Sequence, residues 1–164
     1  MAEVRLQQIR HSYNVDAGEE TEYALEKIDQ VWEDGGAYAL LGPSGCGKST
    51  LLNIVSGLLQ PTEGKVFFNN NDVTSTTPDQ RNIAQIFQFP VVYDTMTVHD
   101  NLAFPLRNRK MGNAEIMERV KTVAEMLDLT ASLNQRASGL TADGKQKISL
   151  GRGLVRSDVN IMMF

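Results

Sequence analysis

The first half of the chain shows short apolar runs and an alternation of apolar and polar side chains, both of which are typical of strands. Near the N-terminus the alternation places Val4, Leu6 and Gln8 on one face and Ile9 on the other. The pattern predicts strands over residues 4–13, 23–32, 37–41, 65–69 and 82–88. A polar turn is expected at 16–21. Thr77 followed by Pro78 has the composition of a helix start.

From residue 94 the apolar spacing becomes helical. Ile116, Val120, Val123 and Leu127 recur at intervals of four, three and four residues, which predicts an amphipathic helix over 114–129. An earlier helix is expected to begin at a capping box on Thr97 and to stop or kink at Pro105. The last part of the pattern predicts a loop at 139–144, a helix at 146–155 and a buried strand at 159–164.

One glycine-rich stretch lies between the apolar run 37–41 and a predicted helix that ends at Gly57. It fits the phosphate-binding pattern G-x-x-x-x-G-K-[ST], and its residues are Gly42, Pro43, Ser44, Gly45, Cys46, Gly47, Lys48, Ser49 and Thr50. The glycines let backbone N–H groups turn toward a phosphate chain, and the helix N-terminus adds its positive dipole. Lys48 can reach the β- and γ-phosphates, and the Ser49 hydroxyl can bind Mg²⁺. The alternative is a glycine turn that caps an ordinary strand–helix unit.

Composition narrows the class of protein. The 164 residues suffice for one domain with a hydrophobic core, and they carry 16 Lys and Arg against 20 Asp and Glu. This net charge of −4, with no basic run, argues against nucleic-acid binding. The single cysteine forms no intrachain disulfide, which suits a reducing compartment. Without a signal-peptide pattern or an apolar run near the ~20 residues of a membrane span, we expect a soluble cytoplasmic chain that can still dock on a membrane protein.

The motifs, taken in their order along the chain, resemble the nucleotide-binding ATPase subunit of ABC transporters. More narrowly, they resemble the branch that imports sugars, polyols and glycerol phosphate. The resemblance covers almost the whole chain. It implies an α/β fold, with a P-loop NTPase core, an N-terminal antiparallel β element and a helical subdomain. The corresponding ranges are 1–93 for the core, 94–157 for the helical and signature subdomain, and 158–164 for a strand that returns to the core.

The resemblance also assigns roles to residues outside the loop. Tyr13 matches the aromatic residue that stacks on adenine, the alternative being a half-buried strand tyrosine. Gln88 matches the glutamine that contacts Mg²⁺ and the attacking water, so Gln88 and Lys48 are the catalytic candidates and Ser49 and Gln88 the metal candidates. Residues 89–93, with Met96, match the segment that receives a helix of the membrane subunit, or else they only pack the helical insertion.

Two departures from the family pattern change the expectation. Where the family has L-S-G-G-Q facing the partner subunit's ATP, this chain has Leu140-Thr141-Ala142-Asp143-Gly144. Thr141 keeps a hydroxyl, but Asp143 would place a carboxylate near a phosphate. The chain also ends at Phe164, within the strand after which the family carries an aspartate for Mg²⁺ and a catalytic glutamate.

The resemblance therefore implies an ATP-binding subunit that, in the complete domain, hydrolyses ATP with Mg²⁺ to drive uptake of a sugar or polyol such as glycerol. Its implied partners are membrane permease subunits and a second ATPase subunit, on the inner face of the cell membrane. The altered signature loop adds the hypothesis that this second subunit is not identical to the first. The alternative is a nucleotide-binding fragment or regulatory module without turnover. Because the faces and edges of the strand at 159–164 would be left uncovered, we also expect self-association of the chain or disorder near its C-terminus. A P-loop kinase fits less well, because a two-stranded segment with Tyr13 precedes the loop.

Overall fold

The computed structural model describes residues 1–14 and 22–164, so the turn predicted at 16–21 lies outside the described residues. The chain forms two compact units, Met1–Ile83 and Ala84–Phe164. The second unit contains most of the helical structure. Among the described residues, no helix has the length and apolar character needed to cross a bilayer.

The first unit is built on a four-stranded sheet in the order β2-β1-β3-β4. Its strands are β1 (Val4–His11), β2 (Leu25–Trp32), β3 (Glu63–Phe68) and β4 (Asn71–Asp72). Each neighbouring pair is antiparallel. The structure thus confirms the antiparallel element expected near the N-terminus, with β1 at its centre.

A bulge in the middle of β1 changes which residues face the core. Gln8 has a φ of 53°, and the pairing of β1 with both neighbours shifts between Leu6 and Arg10. The extra residue brings Ile9 to the buried face and exposes Gln8, so the simple alternation predicted there is wrong. Gly64 of β3 makes the bulge sterically feasible, because a Cβ at this position would collide with the backbone carbonyl of Gln8.

Helix α1 (Lys48–Ser56) begins and ends as the sequence predicts. Gly57 caps its C-terminus with a φ of 82°, a conformation that glycine adopts without strain. On the core side the helix buries Leu51, Ile54 and Val55. Buried side chains of the sheet complete the core of this unit, namely Val4, Leu6, Ile9, Leu25, Val66 and Phe68.

The apolar run that precedes the glycine-rich loop is not a strand. Residues 37–41 have no strand pairing, and Leu41 is 91% exposed while Tyr38 is 51% exposed. A strand exists only where a neighbour satisfies its backbone N–H and C=O groups. None of the described strands pairs with this run, so its apolar composition alone predicted the wrong structure.

The helix expected to start at Thr77 is also absent, and a hydrogen-bonded turn takes its place. The N–H groups of Gln80 and Arg81 both donate to the Thr77 carbonyl, at 3.1 and 3.2 Å. Asn82 then adopts a φ of 51°, which redirects the chain into the next strand. A left-handed residue ends a helix, so Thr77 and Pro78 begin only one turn.

The second unit contains three helices packed on one core and a short two-stranded sheet. The helices are α2 (Val98–Asn108), α3 (Asn113–Met126) and α4 (Ala142–Leu154), and β5 (Ile83–Gln85) pairs with β6 (Ile161–Met163). Two 3-10 turns, Thr130–Ser132 and Ala137–Gly139, lie between α3 and α4. The core side chains include Val98, Leu102, Leu106, Ile116, Val120, Val123, Leu129, Ile148 and Val155.

Three features of these helices test the sequence pattern. The periodicity of α3 is confirmed, because Ile116, Val120 and Val123 are its buried apolar residues together with an alanine. Thr97 caps α2 as expected, since its Oγ1 accepts a hydrogen bond from the Asp100 N–H at 3.0 Å. Pro105 does not stop α2, which continues to Asn108. A proline removes one backbone hydrogen bond, and the buried face of α2 keeps both turns in place.

Helix α4 starts four residues earlier than the sequence predicts. Thr141 is its N-cap, and Oγ1 of Thr141 accepts a hydrogen bond from the Gly144 N–H at 3.2 Å. Asp143 and Gly144 therefore belong to the first helical turn and not to a loop. A side-chain cap of this kind offsets the low helix propensity of glycine.

Candidate nucleotide-binding site

The loop before α1 requires glycine at two positions. Gly45 and Gly47 both have a φ of 86°, in the left-handed region that other residues adopt only with strain. Gly47 is also crowded, because a Cβ there would lie 2.7 Å from the carbonyl oxygen of Ala24. The loop thus folds back tightly on the start of β2.

Several amide groups in this loop lack an acceptor. In the described part of the chain, no carbonyl or side chain accepts a hydrogen bond from the N–H groups of Gly45, Gly47, Lys48, Ser49 or Thr50. The Cys46 N–H does donate, to the Pro43 carbonyl at 3.4 Å. Consecutive amides of this kind, at the N-terminus of a helix, form a site for an anion.

The Lys48 ammonium folds back onto the start of the glycine-rich loop. Its Nζ donates to the carbonyl oxygens of Gly42 at 2.8 Å and Pro43 at 2.6 Å. The Cys46 Sγ is 3.5 Å from the same ammonium. These contacts hold a positive charge against the first two residues of the loop.

Cys46 packs its thiol against the first glycine of the motif. A Cβ on Gly42 would lie 2.5 Å from the Cys46 Sγ, so the glycine makes room for the sulfur. The thiol itself is exposed and free. A group attached to this exposed sulfur would lie beside Gly42 and the Lys48 ammonium.

Tyr13 lies beside the first turn of α1. Its hydroxyl and the Oγ1 of Thr50 are 3.1 Å apart, which brings two residues 37 positions apart in sequence into contact. The ring is 61% exposed and stands edge-on to His11, with ring centroids 4.7 Å apart. An exposed aromatic face next to the anion site can accept a planar base.

Two exposed side chains carry oxygen atoms of the type that Mg²⁺ prefers as ligands. Ser49 is exposed in the first turn of α1, and Gln88 is exposed after β5. Among the described residues, no group of three or more His, Cys, Asp or Glu side chains could hold a metal ion. A magnesium ion bound at Ser49 would take most of its ligands from phosphate and water, which is its usual mode of binding to nucleotides.

Gln88 belongs to the second unit and lies in an exposed apolar segment. Phe87, Phe89, Val91 and Tyr93 are between 41% and 78% exposed. The structure describes Gln88 in one unit and the glycine-rich loop, with Tyr13, in the other. It therefore brings Tyr13 and Thr50 into contact within the first unit, and the role of Gln88 stays a prediction.

Side chains of α4 hold this exposed segment, and the sequence did not reveal them. Arg152 donates to the Val91 carbonyl at 2.8 Å, and its guanidinium lies 4.6 Å from the centre of the Tyr93 ring. Lys145 forms an ion pair with Asp94 at 2.7 Å. Only their helical spacing on α4 could have suggested a shared face, and it does not identify the segment that they contact.

Of the altered signature residues, Thr141, Ala142 and Asp143 form the exposed N-terminus of α4, and Gly144 is buried in its first turn. The Thr141 hydroxyl is engaged as the N-cap, as described above. The carboxylate of Asp143, whose side chain is 80% exposed, lies 3.9 Å from the Lys147 ammonium. A negative side chain in the first turn stabilises the helix and already compensates its positive end.

Comparison with known proteins gives consistent matches along almost the whole chain. The family model described as "ABC transporter" matches residues 25–163. The trehalose/maltose import ATP-binding protein MalK of Thermococcus litoralis is 39% identical over 146 residues, which are 85% of this chain and 39% of that protein. The sn-glycerol-3-phosphate import ATP-binding protein UgpC of Jannaschia sp. is 41% identical over 156 residues, covering 95% and 43%. The chain spans less than half the length of these curated relatives.

Solved structures show the same fold. The ATP-binding cassette MJ0796, in a dimeric post-hydrolysis state bound to ADP and Pi, matches with a TM-score of 0.75 and 29% identity, covering 93% of this chain and 69% of that one. CbiO1 from Clostridium perfringens, part of the transporter complex cbiONQ, matches with a TM-score of 0.80 at 23% identity and covers 93% and 61%. The second match supports the fold alone.

Proposed function

This chain belongs to the ABC transporter family, and we propose that it is the ATP-binding part of a subunit that drives the import of a sugar or polyol such as glycerol. The family match over residues 25–163 and the import functions named for relatives at about 40% identity support this proposal. The proposal also extends to ATP hydrolysis by the complete domain.

One structural observation carries the proposal. The amides of Gly45, Gly47, Lys48, Ser49 and Thr50 are directed by a tight loop and a helix N-terminus, and no described residue accepts from them. The phosphate chain of ATP supplies acceptor oxygens and negative charge for this kind of surface. Pro43, Ser44 and Cys46 shape the rest of the loop.

Lys48 and Tyr13 add charge and a stacking surface. On binding, the Lys48 ammonium exchanges the carbonyls of Gly42 and Pro43 for β- and γ-phosphate oxygens, which are stronger acceptors because they are charged. The exposed ring of Tyr13 stacks on adenine, while its hydroxyl stays close to Thr50.

We assign the magnesium contacts to Ser49 and Gln88. When bound, the ion neutralises charge on the phosphate oxygens during phosphoryl transfer. The Ser49 hydroxyl supplies one oxygen at the N-terminus of α1, and the Gln88 amide supplies another and orients the attacking water. Both side chains are exposed and so are accessible to a ligand from solution.

The proposed partners are permease subunits and a second ATPase subunit, at the inner face of the cell membrane. The permease would dock on residues 89–93 together with Met96, where apolar side chains are exposed. Arg152 of α4 binds the Val91 carbonyl in this segment, and Lys145 pairs with the adjacent Asp94. An exposed apolar patch of this kind suits a docking surface.

The second ATPase subunit is non-identical in our proposal, because of Asp143. Its exposed carboxylate at the N-terminus of α4 would repel the γ-phosphate of ATP that a partner presents. A partner whose own signature loop lacks this acid would supply the competent half of the pair. Purification of the transporter from its source tests this, and a complex with a single kind of ATPase subunit would refute it.

A module that binds nucleotide without turnover is the second candidate function for the 164-residue chain. The family carries its catalytic glutamate directly after the strand that corresponds to β6, and the acidic residue of this chain nearest to β6 in sequence is Asp158. The Asp158 carboxylate is bound by two arginines. Arg109 donates to its carboxylate at 2.7 Å and Arg156 at 3.4 Å. Burial raises the pKa of Asp158, but these two arginines outweigh burial and lower it, which makes the carboxylate a weak base. We expect binding of ATP with hydrolysis far below that of intact relatives.

Calorimetric titration with Mg·ATP tests the proposal. We expect saturable binding by the chain and a loss of at least about tenfold in affinity for Lys48→Ala, because one charge-assisted contact to phosphate is removed. Lys27→Ala, at an exposed lysine of the same unit, is the matched control and should bind as the unmodified chain does. Absence of binding by the unmodified chain, or equal affinity for Lys48→Ala, would contradict nucleotide binding at this loop.

A further inference from the structure

A buried arginine lies at the opposite end of the helix that carries the phosphate loop. Arg81 is 1% exposed and is the largest of the fully buried side chains. Its Nη1 donates to the carbonyls of Ile54 at 2.8 Å and Val55 at 2.9 Å. Its Nε donates to Thr76 at 2.9 Å, and its Nη2 to Thr74 at 2.9 Å.

These bonds satisfy two of the C-terminal carbonyls of α1, those of Ile54 and Val55. The last carbonyls of a helix have no partner within the helix. Asn53 accepts from the Leu59 N–H at 3.0 Å, and Ile54 accepts from the Gly57 N–H at 3.1 Å. Arg81 provides a further donor to Ile54 and one to Val55. It also ties both carbonyls to the segment that contains Thr74 and Thr76.

The Arg81 guanidinium packs tightly against the backbone of Gly57. A Cβ on Gly57 would lie 2.6 Å from Nε and 2.9 Å from the carbon of the guanidinium. The glycine that ends α1 is therefore also the surface on which Arg81 lies. Burial lowers the pKa of Arg81 from its usual value, but a guanidinium stays protonated at neutral pH.

The position of this charge affects the far end of the helix. Helix α1 has 9 residues and is therefore about 13 Å long, so its two ends belong to one short rigid element. A cation at the C-terminus neutralises the negative end of the helix dipole and leaves the positive end to act on an anion. The direction of the helix axis also determines where the amides of Lys48, Ser49 and Thr50 point.

We propose that Arg81 is a positioning residue for phosphate binding, which acts through α1 by holding the C-terminus of that helix so that its N-terminal amides face the ligand. This inference rests on the proposed nucleotide site. It adds a residue that lies 32 positions beyond Ser49 in sequence and touches no ligand.

The test compares two ligands on the folded 164-residue chain. We expect Arg81→Met to lower the affinity for Mg·ATP by about tenfold, since small misplacements of binding groups have effects of this size or larger. The affinity for inorganic triphosphate, which has no base to stack on Tyr13, should fall by the same factor. Arg81→Lys keeps the charge but not the fork of donors, so it should recover part of the affinity.

A second variant displaces the guanidinium without removing it. Gly57→Ala introduces the Cβ that collides with Arg81, and we expect it to weaken triphosphate binding as well. Gly35→Ala is its matched control, because Gly35 has a similar φ of 74° but no atom within 4 Å of an added Cβ. Arg5→Met is the control for loss of a cation from the same unit.

Hydrogen exchange of the α1 amides, measured without ligand, separates this inference from the proposed function. We expect faster exchange in Arg81→Met than in Arg5→Met at equal folded fraction. Unchanged exchange in α1, or an unchanged affinity for triphosphate in folded Arg81→Met while Lys48→Ala is impaired, would overturn the inference and leave the nucleotide site intact. If neither the parent chain nor any variant binds triphosphate, the proposed nucleotide site is refuted, and the role proposed for Arg81 is refuted together with it.

Discussion

At the residue scale, Cys46 gives a direct test of the loop. Its exposed thiol lies against Gly42 and 3.5 Å from the Lys48 ammonium. We expect a bulky maleimide on this sulfur to abolish Mg·ATP binding, because the adduct would lie between the Lys48 ammonium and the phosphates that it binds in our proposal. Calorimetry on a fully alkylated sample measures this effect.

The chain offers a clean control for alkylation, since Cys46 is its only cysteine. Cys46→Ala leaves the loop with a small side chain and should bind Mg·ATP before and after maleimide treatment. Retained affinity in the fully alkylated parent would show that the thiol does not border the ligand.

Two other residues show what single positions reveal and what they do not. Gly47 could be identified from the sequence, because the motif places it where the loop must turn tightly, and it has a φ of 86°. Arg81 could not be identified, because the α1 carbonyls that it binds are 26 and 27 positions away and no local pattern marks them.

At the element scale, close packing between α2 and α4 depends on Gly151. A Cβ there would lie 2.5 Å from Cδ2 of Leu102, which is fully buried, and 3.1 Å from Cδ1 of Leu127. We expect Gly151→Ala to lower the free energy of unfolding by about 1–3 kcal/mol through overpacking, in part offset by about 1 kcal/mol of helix propensity. Urea unfolding measures the net effect.

Gly153, two residues further on the same helix, is the matched comparison. A Cβ there has its nearest neighbour at 3.3 Å, the Cβ of Ala84, with the flexible Met162 side chain at 3.4 Å. Gly153→Ala gains the same propensity of about 1 kcal/mol with less crowding, so its stability should equal or exceed that of the parent. A larger loss for Gly153→Ala than for Gly151→Ala would contradict this account of the packing.

The elements also differ in how well their sequences predicted them. Helix α3 could be predicted from its own residues, because apolar side chains with a period of 3.6 residues form one stripe that any apolar surface can cover. Residues 37–41 have an equally clear apolar pattern and form no strand, because strand pairing depends on another segment. The start of α4 was missed, since the cap on Thr141 outweighed the turn composition of Asp143 and Gly144.

At the scale of the whole molecule, we expect the apolar run 37–41 to promote self-association of the chain. Leu41 is 91% exposed, and the backbone around it has no strand neighbour among the described residues. Such a segment is a template for pairing with a second copy. We expect the sedimentation coefficient of the chain to rise with protein concentration.

Two variants distinguish strand pairing through residues 37–41 from nonspecific hydrophobic association. Leu41→Ser should reduce the concentration dependence, because it removes the most exposed apolar side chain of the run. Met117→Ser, at a 66% exposed position on α3, should not change it. A parent chain that stays monomeric at all concentrations, or equal effects of the two variants, would contradict association through residues 37–41.

The sequence by itself determined the family, the phosphate-loop candidate residues and the periodic helix α3, because each is encoded in contiguous residues and local spacing. The tertiary structure decided the bulge at Gln8, the unpaired state of 37–41, the contact between Tyr13 and Thr50, and the cap that Arg81 places on α1. These four features depend on groups that meet only after the chain folds. Backbone pairing and the solvation of a buried charge are set by neighbours in space, and the order of residues does not specify those neighbours locally.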